Sequence, residues 1–170
     1  KEYVDWLDDF LSPRPKGLKA AWVKTGRPGF QIMDSLHDMD AHLRQKHNEG
    51  KIVRLLAPYA RKWKTKDSPH PHKLQPHNMD FFFPTEMGTA SGVKKEAVPL
   101  PWSRIWNYAP EGDYASFIQA PPGSKMHDDP LCEVGCPYVV RGFDFDHVGV
   151  LWLKDLVWRK DRWKVQVGEI

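Results

Sequence analysis

Four residues that are suited to contacting phosphates and sugars lie in one short turn of the sequence: Arg141, Gly142, Asp144 and Asp146. Arginine carries a planar charged fork that fits a phosphate group, and glycine lets the backbone turn sharply or approach a ligand closely. Carboxylates accept hydrogen bonds from hydroxyl groups. Ordinary loops with solvated charges show the same combination, so the pattern leaves a ligand-binding turn and a plain surface loop open.

Two apolar, β-rich runs flank this turn, Tyr138–Val140 and Val148–Trp152. The second is short and continuous, which is typical of a strand buried on both faces in a parallel sheet covered by helices. Phe143 and Phe145 alternate with the two acids, so both rings are predicted to anchor the turn in the core while the acids share the other face. The pattern predicts a buried sheet that presents a functional loop.

A second candidate site is the basic segment 59–66, which contains no acidic residue. Its cations and aromatic residues are Arg61, Lys62, Lys64 and Lys66 with Tyr59 and Trp63. Ammonium and guanidinium groups neutralise phosphates while aromatic faces stack on unpaired bases, so this composition suits single-stranded DNA or RNA. The alternative is a solvated loop whose tryptophan packs inward. The net charge of the whole chain, +3, is too small to decide between them.

The elements that position these segments follow from apolar spacing. Phe30–Met33 is predicted to be a short strand, and Asp34 or Ser35 to cap a helix that runs to about residue 49, with Leu36, Met39 and Leu43 inward and Gly50 ending it. Ile52–Tyr59 is predicted to be the next strand. This order indicates a parallel crossover, so segment 59–66 would leave a strand at its carboxyl end, where ligands gather in α/β folds.

The two ends of the chain carry local signals. Val4, Leu7 and Leu11 recur at helical spacing, and Trp6 and Phe10 widen the stripe, so Glu2–Leu11 is predicted to be an amphipathic helix. Near the C-terminus, 156–159 and 162–167 alternate charged with aromatic or β-branched residues, which predicts a β-hairpin. Trp158 and Trp163 either pair across it or pack independently.

The middle of the chain, residues 67–129, is rich in proline and is predicted to be an extended insertion with short strands at Phe81–Phe83 and Ala115–Ile118. Its histidines are His70, His72 and His77. No cysteine or acid supports them at metal-ligand spacing, so no metal site is expected.

Composition predicts one domain, because 170 residues with 41% hydrophobic content can bury a real core. No run approaches the ~20 apolar residues that cross a bilayer, and no signal segment is visible, so a cytoplasmic protein without a membrane partner is expected. Cys132 and Cys136 are predicted to be buried reduced thiols, with a redox or metal pair as the alternative.

Three blocks of the sequence resemble one known family. They are EYVDWLDDFL (2–11), RLLAPYARKWKTK (54–66) and EVGCPYVVRGFDFDHVGVLW (133–152) followed by KDLVWRKDRWKV. The last block is similar to motif V of the prokaryotic schlafen group three-like DNA/RNA helicase domain, a P-loop NTPase family related to superfamily one helicases. The first resembles the family's helix after motif IV, and the second its strand ending in WKTK. The blocks follow the family's order, whereas residues 67–125 match loosely.

The resemblance implies a RecA-like α/β fold, a parallel sheet with flanking helices that is the second domain of a P-loop NTPase. Residues 1–170 would be a single truncated C-terminal domain with the proline-rich insertion. The whole protein would be an ATP-dependent helicase or translocase that uses ATP with Mg²⁺ and binds single-stranded DNA or RNA. Arg141, Gly142 and Asp144 would contact the nucleotide, and segment 59–66 the strand.

The chain departs from the family at this motif. The family usually has threonine, a variable residue, glutamine, glycine, leucine and glutamate at positions 139–144, and only Gly142 is kept. Asp144 is able to hold a ribose with a shorter reach than glutamate, whereas Val139 has no side-chain hydrogen-bond donor. Contact with nucleotide or strand is therefore expected to be weaker.

No GxxxxGK[ST] sequence occurs in the chain, so it lacks the loop that cradles ATP phosphates. We therefore expect a segment of a longer protein, inactive alone, with no catalytic residue and no bound cofactor. An N-terminal RecA-like domain of the same protein would supply the loop. The alternative is a degenerate, inactive module that binds nucleic acid or protein.

Overall fold

The computed structural model describes residues 2–12, 16, 29, 31–58, 62–84, 101–108, 118–160 and 162–167. The helices are α1 (Glu2–Leu11), α2 (Leu36–Asn48) and α3 (Lys125–Asp128), with 3-10 turns at Pro71–Lys73 and Pro76–Asn78. The strands are β1 (Val53–Leu56), β2 (Phe81–Phe83), β3 (Trp102–Trp106), β4 (Glu133–Val134), β5 (His147–Val150), β6 (Leu156–Arg159) and β7 (Arg162–Val165). The chain divides into two compact units, residues 33–152 and residues 1–32 with 153–170.

Strands β1 to β5 of the larger unit are joined into one mixed array. β1 pairs in parallel with β5, β4 in parallel with β3, and β3 antiparallel with β2. A parallel bridge between Leu56 and Gly135 connects the ends of β1 and β4. The order is therefore β5-β1-β4-β3-β2, with four parallel strands. The predicted α/β class with parallel pairing is confirmed.

Helix α2 begins and ends where its capping residues predict. The hydroxyl oxygen of Ser35 accepts a hydrogen bond from the Asp38 N–H at 3.0 Å, which satisfies one free donor of the first turn. Gly50 has φ 82°, a left-handed conformation that favours glycine, and ends the helix. Met39 and Leu43 are buried as predicted, while Leu36 is half-buried.

Helix α2 packs on the face of the sheet formed by β1 and β5, and Gly149 makes this close approach possible. A Cβ atom at Gly149 would lie 2.7 Å from Cδ1 of Leu43 and 2.9 Å from Sδ of Met39. The same methyl would lie 3.0 Å from Cδ2 of Leu55, which is fully buried. Any larger residue at position 149 would therefore push the helix away from the strand.

Two predictions about the segment around the 141–146 turn are wrong. Tyr138–Val140 forms turns and not a strand, because its backbone bonds locally, with the Val139 N–H donating to the Cys136 oxygen. β5 is not buried on both faces, since Val148 and Val150 are 40% and 53% exposed. Helix α2 covers only the opposite face of β5, toward which Gly149 points.

Of three further predicted strands, one is present in a shorter form and two are not seen in the described residues. Residues 31–33 do not form a strand, and Phe30 lies outside the described residues. The strand predicted at Ile52–Tyr59 is shorter, Val53–Leu56, and Tyr59 also lies outside them. Ala115 to Phe117 are not described, and Ile118 is not in a strand.

Part of the predicted insertion belongs to the sheet. The strand expected at Phe81–Phe83 is confirmed as β2. It pairs with β3, which was not predicted from the sequence. Trp102, Ile105 and Trp106 of β3 are almost fully buried. Although proline-rich, this segment therefore contributes large side chains to the core.

The smaller unit contains α1 and the hairpin β6–β7, both predicted. Trp158 lies opposite Trp163 with ring centroids 5.2 Å apart, and the rings meet edge to face, so of the two alternatives the structure shows the cross-strand pair. The indole N–H of Trp163 donates to the Phe10 backbone oxygen at 2.7 Å. Val4 and Leu11 are 53% and 54% exposed, so the predicted inward stripe is wrong at these positions.

Cys132 and Cys136 are both buried as predicted, and neither forms a disulfide. Burial raises the pKa of the Cys132 thiol to about 12, so it stays protonated and unreactive. Among the described residues, no group of three His, Cys, Asp or Glu side chains is placed to hold a metal ion. No helix in the same part of the chain has both the length and the apolar content to cross a bilayer.

Candidate functional site

The 141–146 turn is fixed to the start of β1 by Asp146. Its carboxylate accepts the Ile52 N–H at 2.9 Å, and its own N–H donates to the Ile52 oxygen at 2.9 Å. His147 donates to the same oxygen at 3.2 Å. The Asp146 carboxylate therefore has a structural partner and positions the turn.

The two aromatic rings of the turn anchor it in the core, as predicted. Phe143 and Phe145 are half-buried and pack against a core cluster on the face of the sheet opposite α2. The buried members of that cluster are Ile118, Met126, Cys132 and Val140. Asp144, between the two rings, stays exposed. Successive side chains of the turn therefore point to two sides: Phe143 and Phe145 anchor the turn in the core, and the Asp144 carboxylate is open to a ligand.

The remaining residues of the turn differ in their environments. Gly142 has φ 91°, in the left-handed region that favours glycine. The Arg141 guanidinium lies over the Tyr138 ring, 5.5 Å from its centroid, and both side chains are exposed. Val139 packs against the same core cluster as the phenylalanines. The arginine is thus available to a ligand, whereas position 139 contributes only apolar packing.

A cavity of about 660 Å³ lies beside the turn. Its ionisable side chains are Asp144, His47, Lys51, Arg54 and His127. Its largest apolar side chains are Ile118, Met126, Phe143 and Phe145. Of the three residues predicted to contact a nucleotide, only Asp144 lines it. The cavity lies at the amino edge of the parallel strands, because Lys51 and Asp144 precede β1 and β5, respectively.

A buried ion pair closes the cavity on the side of the sheet. Arg54 of β1 pairs with Glu133 of β4, and their side chains are only 1% and 0% exposed. Arg54 also contacts Sδ of Met126, at 3.6 Å. The other carboxylate oxygen of Glu133 accepts the Tyr108 N–H at 2.7 Å. The pair joins β1, β4 and the segment that follows β3, and it was not predicted from the sequence.

Residues 62–66 of the basic segment lie at the opposite, carboxyl edge of the sheet, where buried Asp80 holds them. One Asp80 oxygen accepts the N–H groups of Lys64 and Thr65, at 2.6 and 3.0 Å. The other accepts the Thr65 hydroxyl at 2.5 Å and the Trp106 N–H at 2.9 Å, at the end of β3. Asp80 was not predicted from the sequence, although an acid next to the apolar run Phe81–Phe83 was a signal.

From residue 62 to residue 66, the side chains of the basic segment alternate between solvent and core. Lys62, Lys64 and Lys66 are exposed, Thr65 is buried and Trp63 is half-buried. The Trp63 ring packs against Trp106, with centroids 6.1 Å apart. Tyr59 and Arg61, which were also predicted to bind nucleic acid, lie outside the described residues. The structure therefore separates the three lysines from Asp144 by the length of the strands.

The partly buried His72 is predicted to make stability depend on pH. Its ring contacts Tyr108 edge to face at 4.5 Å, and burial lowers its pKa to about 4. In the unfolded chain the pKa of a histidine is about 6.5. Between about pH 4 and about pH 6.5, protons therefore bind His72 more readily in the unfolded chain than in the folded protein. The contribution of the neutral, buried His72 ring to the free energy of unfolding is therefore complete above about pH 6.5 and is lost as the pH falls toward 4.

Unfolding of the His72→Gln variant in urea at pH 7 and pH 5 tests this expectation. We expect the wild type to lose about 1 kcal/mol more than the variant between the two pH values, after allowance for the partial exposure of the ring. His70→Gln, at an exposed neighbour, is the matched control. The expectation fails if His72→Gln and the wild type lose the same stability.

Comparison with protein families gives one match that spans the chain. A family model described as Schlafen group 3, DNA/RNA helicase domain, matches residues 1–170. Comparison with curated proteins and with solved structures gives no match.

Proposed function

Because the chain belongs to the Schlafen group 3 DNA/RNA helicase domain family, we propose that it acts as the second RecA-like domain of an ATP-dependent helicase or translocase. In this proposal the parallel strands β5, β1, β4 and β3 are part of the RecA-like sheet. An N-terminal RecA-like domain of the same protein supplies the phosphate-binding loop and Mg²⁺-bound ATP, because this sequence contains no such loop.

The observation that carries the nucleotide part of the proposal is the placement of Asp144. Its carboxylate is exposed beside a cavity of about 660 Å³, on a turn held by two anchored rings and by Asp146. A carboxylate in this position is suited to accept hydrogen bonds from ribose hydroxyls. Gly142 allows a nucleotide to approach the backbone, and Arg141 supplies a charge for its phosphates.

The exposed lysines of the basic segment support the nucleic-acid part. We propose that Lys62, Lys64 and Lys66 contact single-stranded DNA or RNA at the carboxyl edge of the sheet. This edge is distant from Asp144, so nucleotide and strand would be bound by different ends of the same strands. Each contact is then open to a separate test.

A degenerate module that binds nucleic acid without ATP-driven work is the second candidate. One observation favours it: Val139 stands in the position of the family's threonine, and its apolar side chain packs against the core cluster. In that case the lysines would still bind a strand, but the strand would not stimulate ATP hydrolysis.

Removing the Asp144 carboxylate is expected to weaken nucleotide binding in the full-length protein. We expect Asp144→Ala to raise the KM for ATP about tenfold, because a hydrogen bond to a charged group contributes about 1.5 kcal/mol or more. Asp144→Glu, which restores the family's residue, should keep the wild-type KM or lower it. ATP hydrolysis measured over a range of ATP concentrations gives these values.

Asp8→Ala is the matched control for Asp144→Ala, since it removes another exposed carboxylate, on α1. It should leave the KM for ATP unchanged. If Asp144→Ala behaves like this control, the 141–146 turn does not hold the nucleotide.

A further inference from the structure

We infer that residues 62–66, the part of the basic segment that the structure describes, bind a nucleic-acid strand through its phosphates and make no contact with the bases. This inference rests on the proposed function and specifies what Lys62, Lys64 and Lys66 recognise. The ligand class is the phosphodiester backbone, irrespective of base sequence.

The first support is the alternation of exposure along the segment. Lys62, Lys64 and Lys66 are exposed, while the residues between them, Trp63 and Thr65, are half-buried and buried. Within residues 62–66, the three ammonium groups therefore reach solvent from the outer side, and the one aromatic ring, that of Trp63, points inward. Cations in a row are suited to contact successive phosphates of a strand, and such contacts do not depend on the base sequence.

The second support is that the inward orientation is fixed by hydrogen bonds. Asp80 is only 4% exposed and accepts bonds from Lys64, Thr65 and Trp106. If the segment rotated to expose Trp63 and Thr65, the buried Asp80 carboxylate would lose its bonds from Lys64 and Thr65. An unpaired buried carboxylate oxygen lowers stability, so this rotation is unfavourable. The backbone of Lys64 and Thr65 therefore holds the lysine side chains toward solvent.

The third support is the environment of Trp63. Its half-buried ring packs against Trp106, which is 1% exposed, so the indole contacts the protein interior. A stacking platform for single strands needs an open aromatic face, and each stacked base changes affinity by about fivefold or more. Instead, the contact of the Trp63 ring with Trp106 attaches the segment that carries Lys62, Lys64 and Lys66 to the sheet.

The lysines also keep their charge available. Within the part of the chain that the structure describes, Lys62, Lys64 and Lys66 form no ion pair. The Lys64 ammonium group has one long contact, 3.4 Å from the His77 backbone oxygen. Asp67 is the acid next in sequence, and it is exposed. These ammonium groups can therefore bind phosphates without first breaking an ion pair with a carboxylate of the described residues.

Titrations with three 20-nucleotide polymers test the inference. Fluorescence anisotropy gives the affinity of the protein for labelled oligo(dT), for oligo(U) and for an abasic deoxyribose-phosphate strand of the same length. We expect all three dissociation constants to agree within fivefold. An abasic strand that binds more than fivefold weaker than oligo(dT) would overturn phosphate-only recognition while leaving strand binding intact.

A variant provides the second arm. Trp63→Leu removes the ring but keeps an apolar side chain against Trp106, and circular dichroism checks that the variant is folded. Its affinity for oligo(dT) should stay within fivefold of the wild type, and a larger loss with a folded variant would contradict the inference. If the wild type binds none of the three polymers, both this inference and the proposed nucleic-acid contact fail.

Discussion

Replacing Glu133 by alanine is expected to destabilise the protein by about 3 to 5 kcal/mol, because the substitution leaves the Arg54 guanidinium charged and buried. The Arg54 side chain is 1% exposed and pairs with Glu133 across β1 and β4. Glu133 also accepts the Tyr108 N–H, so the substitution removes a partner from a backbone donor as well. Urea unfolding followed by circular dichroism measures the change.

A double variant distinguishes the lost charge pair from lost packing. Arg54→Met combined with Glu133→Leu replaces both charges by apolar side chains of similar size, which is often neutral or stabilising for buried pairs. We expect this variant to recover most of the stability lost in Glu133→Ala. The account of the pair is wrong if Glu133→Ala costs less than about 1 kcal/mol, or if the double variant is the less stable of the two.

Replacing Lys62, Lys64 and Lys66 together by alanine is expected to weaken binding of single-stranded nucleic acid by about 10- to 100-fold at low salt. Each lost phosphate contact removes about 0.7 from the slope of log affinity against log salt for a single strand. Three contacts predict a slope that is shallower by about 2. Anisotropy titrations of labelled oligo(dT) between about 50 and 200 mM salt measure both quantities.

The control for this variant removes the same charge elsewhere. Lys154, Lys160 and Lys164 are exposed in and next to the hairpin, and replacing them by alanine also subtracts three positive charges. We expect this control to keep most of the affinity and the wild-type slope. If both triple variants lose affinity equally, net charge and not the basic segment determines binding.

The sequence predicted best the elements that local signals determine. Helix α1, the capped start of α2 and the C-terminal hairpin depend on periodicity, capping and hairpin patterns over a few residues. It failed where the outcome depends on distant parts of the chain. The exposure of Val148 and Val150 follows from what covers β5, which an apolar run does not reveal.

The same limit applies to the candidate site. Alternation predicted that Phe143 and Phe145 anchor the turn, and the structure confirms it. Asp80 and the pair of Arg54 with Glu133 were not predicted, because their partners lie on strands far apart in the sequence. Their burial depends on the order of the strands, which local patterns do not specify. Such buried acids fix the edges of the sheet where the proposed ligands bind.

ATP hydrolysis by the full-length protein, titrated with single-stranded nucleic acid, tests the proposed function most directly. We expect the strand to stimulate hydrolysis, Asp144→Ala to raise the KM for ATP, and the variant lacking Lys62, Lys64 and Lys66 to raise the strand concentration that gives half-maximal stimulation. Wild-type protein whose hydrolysis does not respond to the strand, or variants that both shift the same constant, would contradict an ATP-driven motor with separate nucleotide and strand contacts.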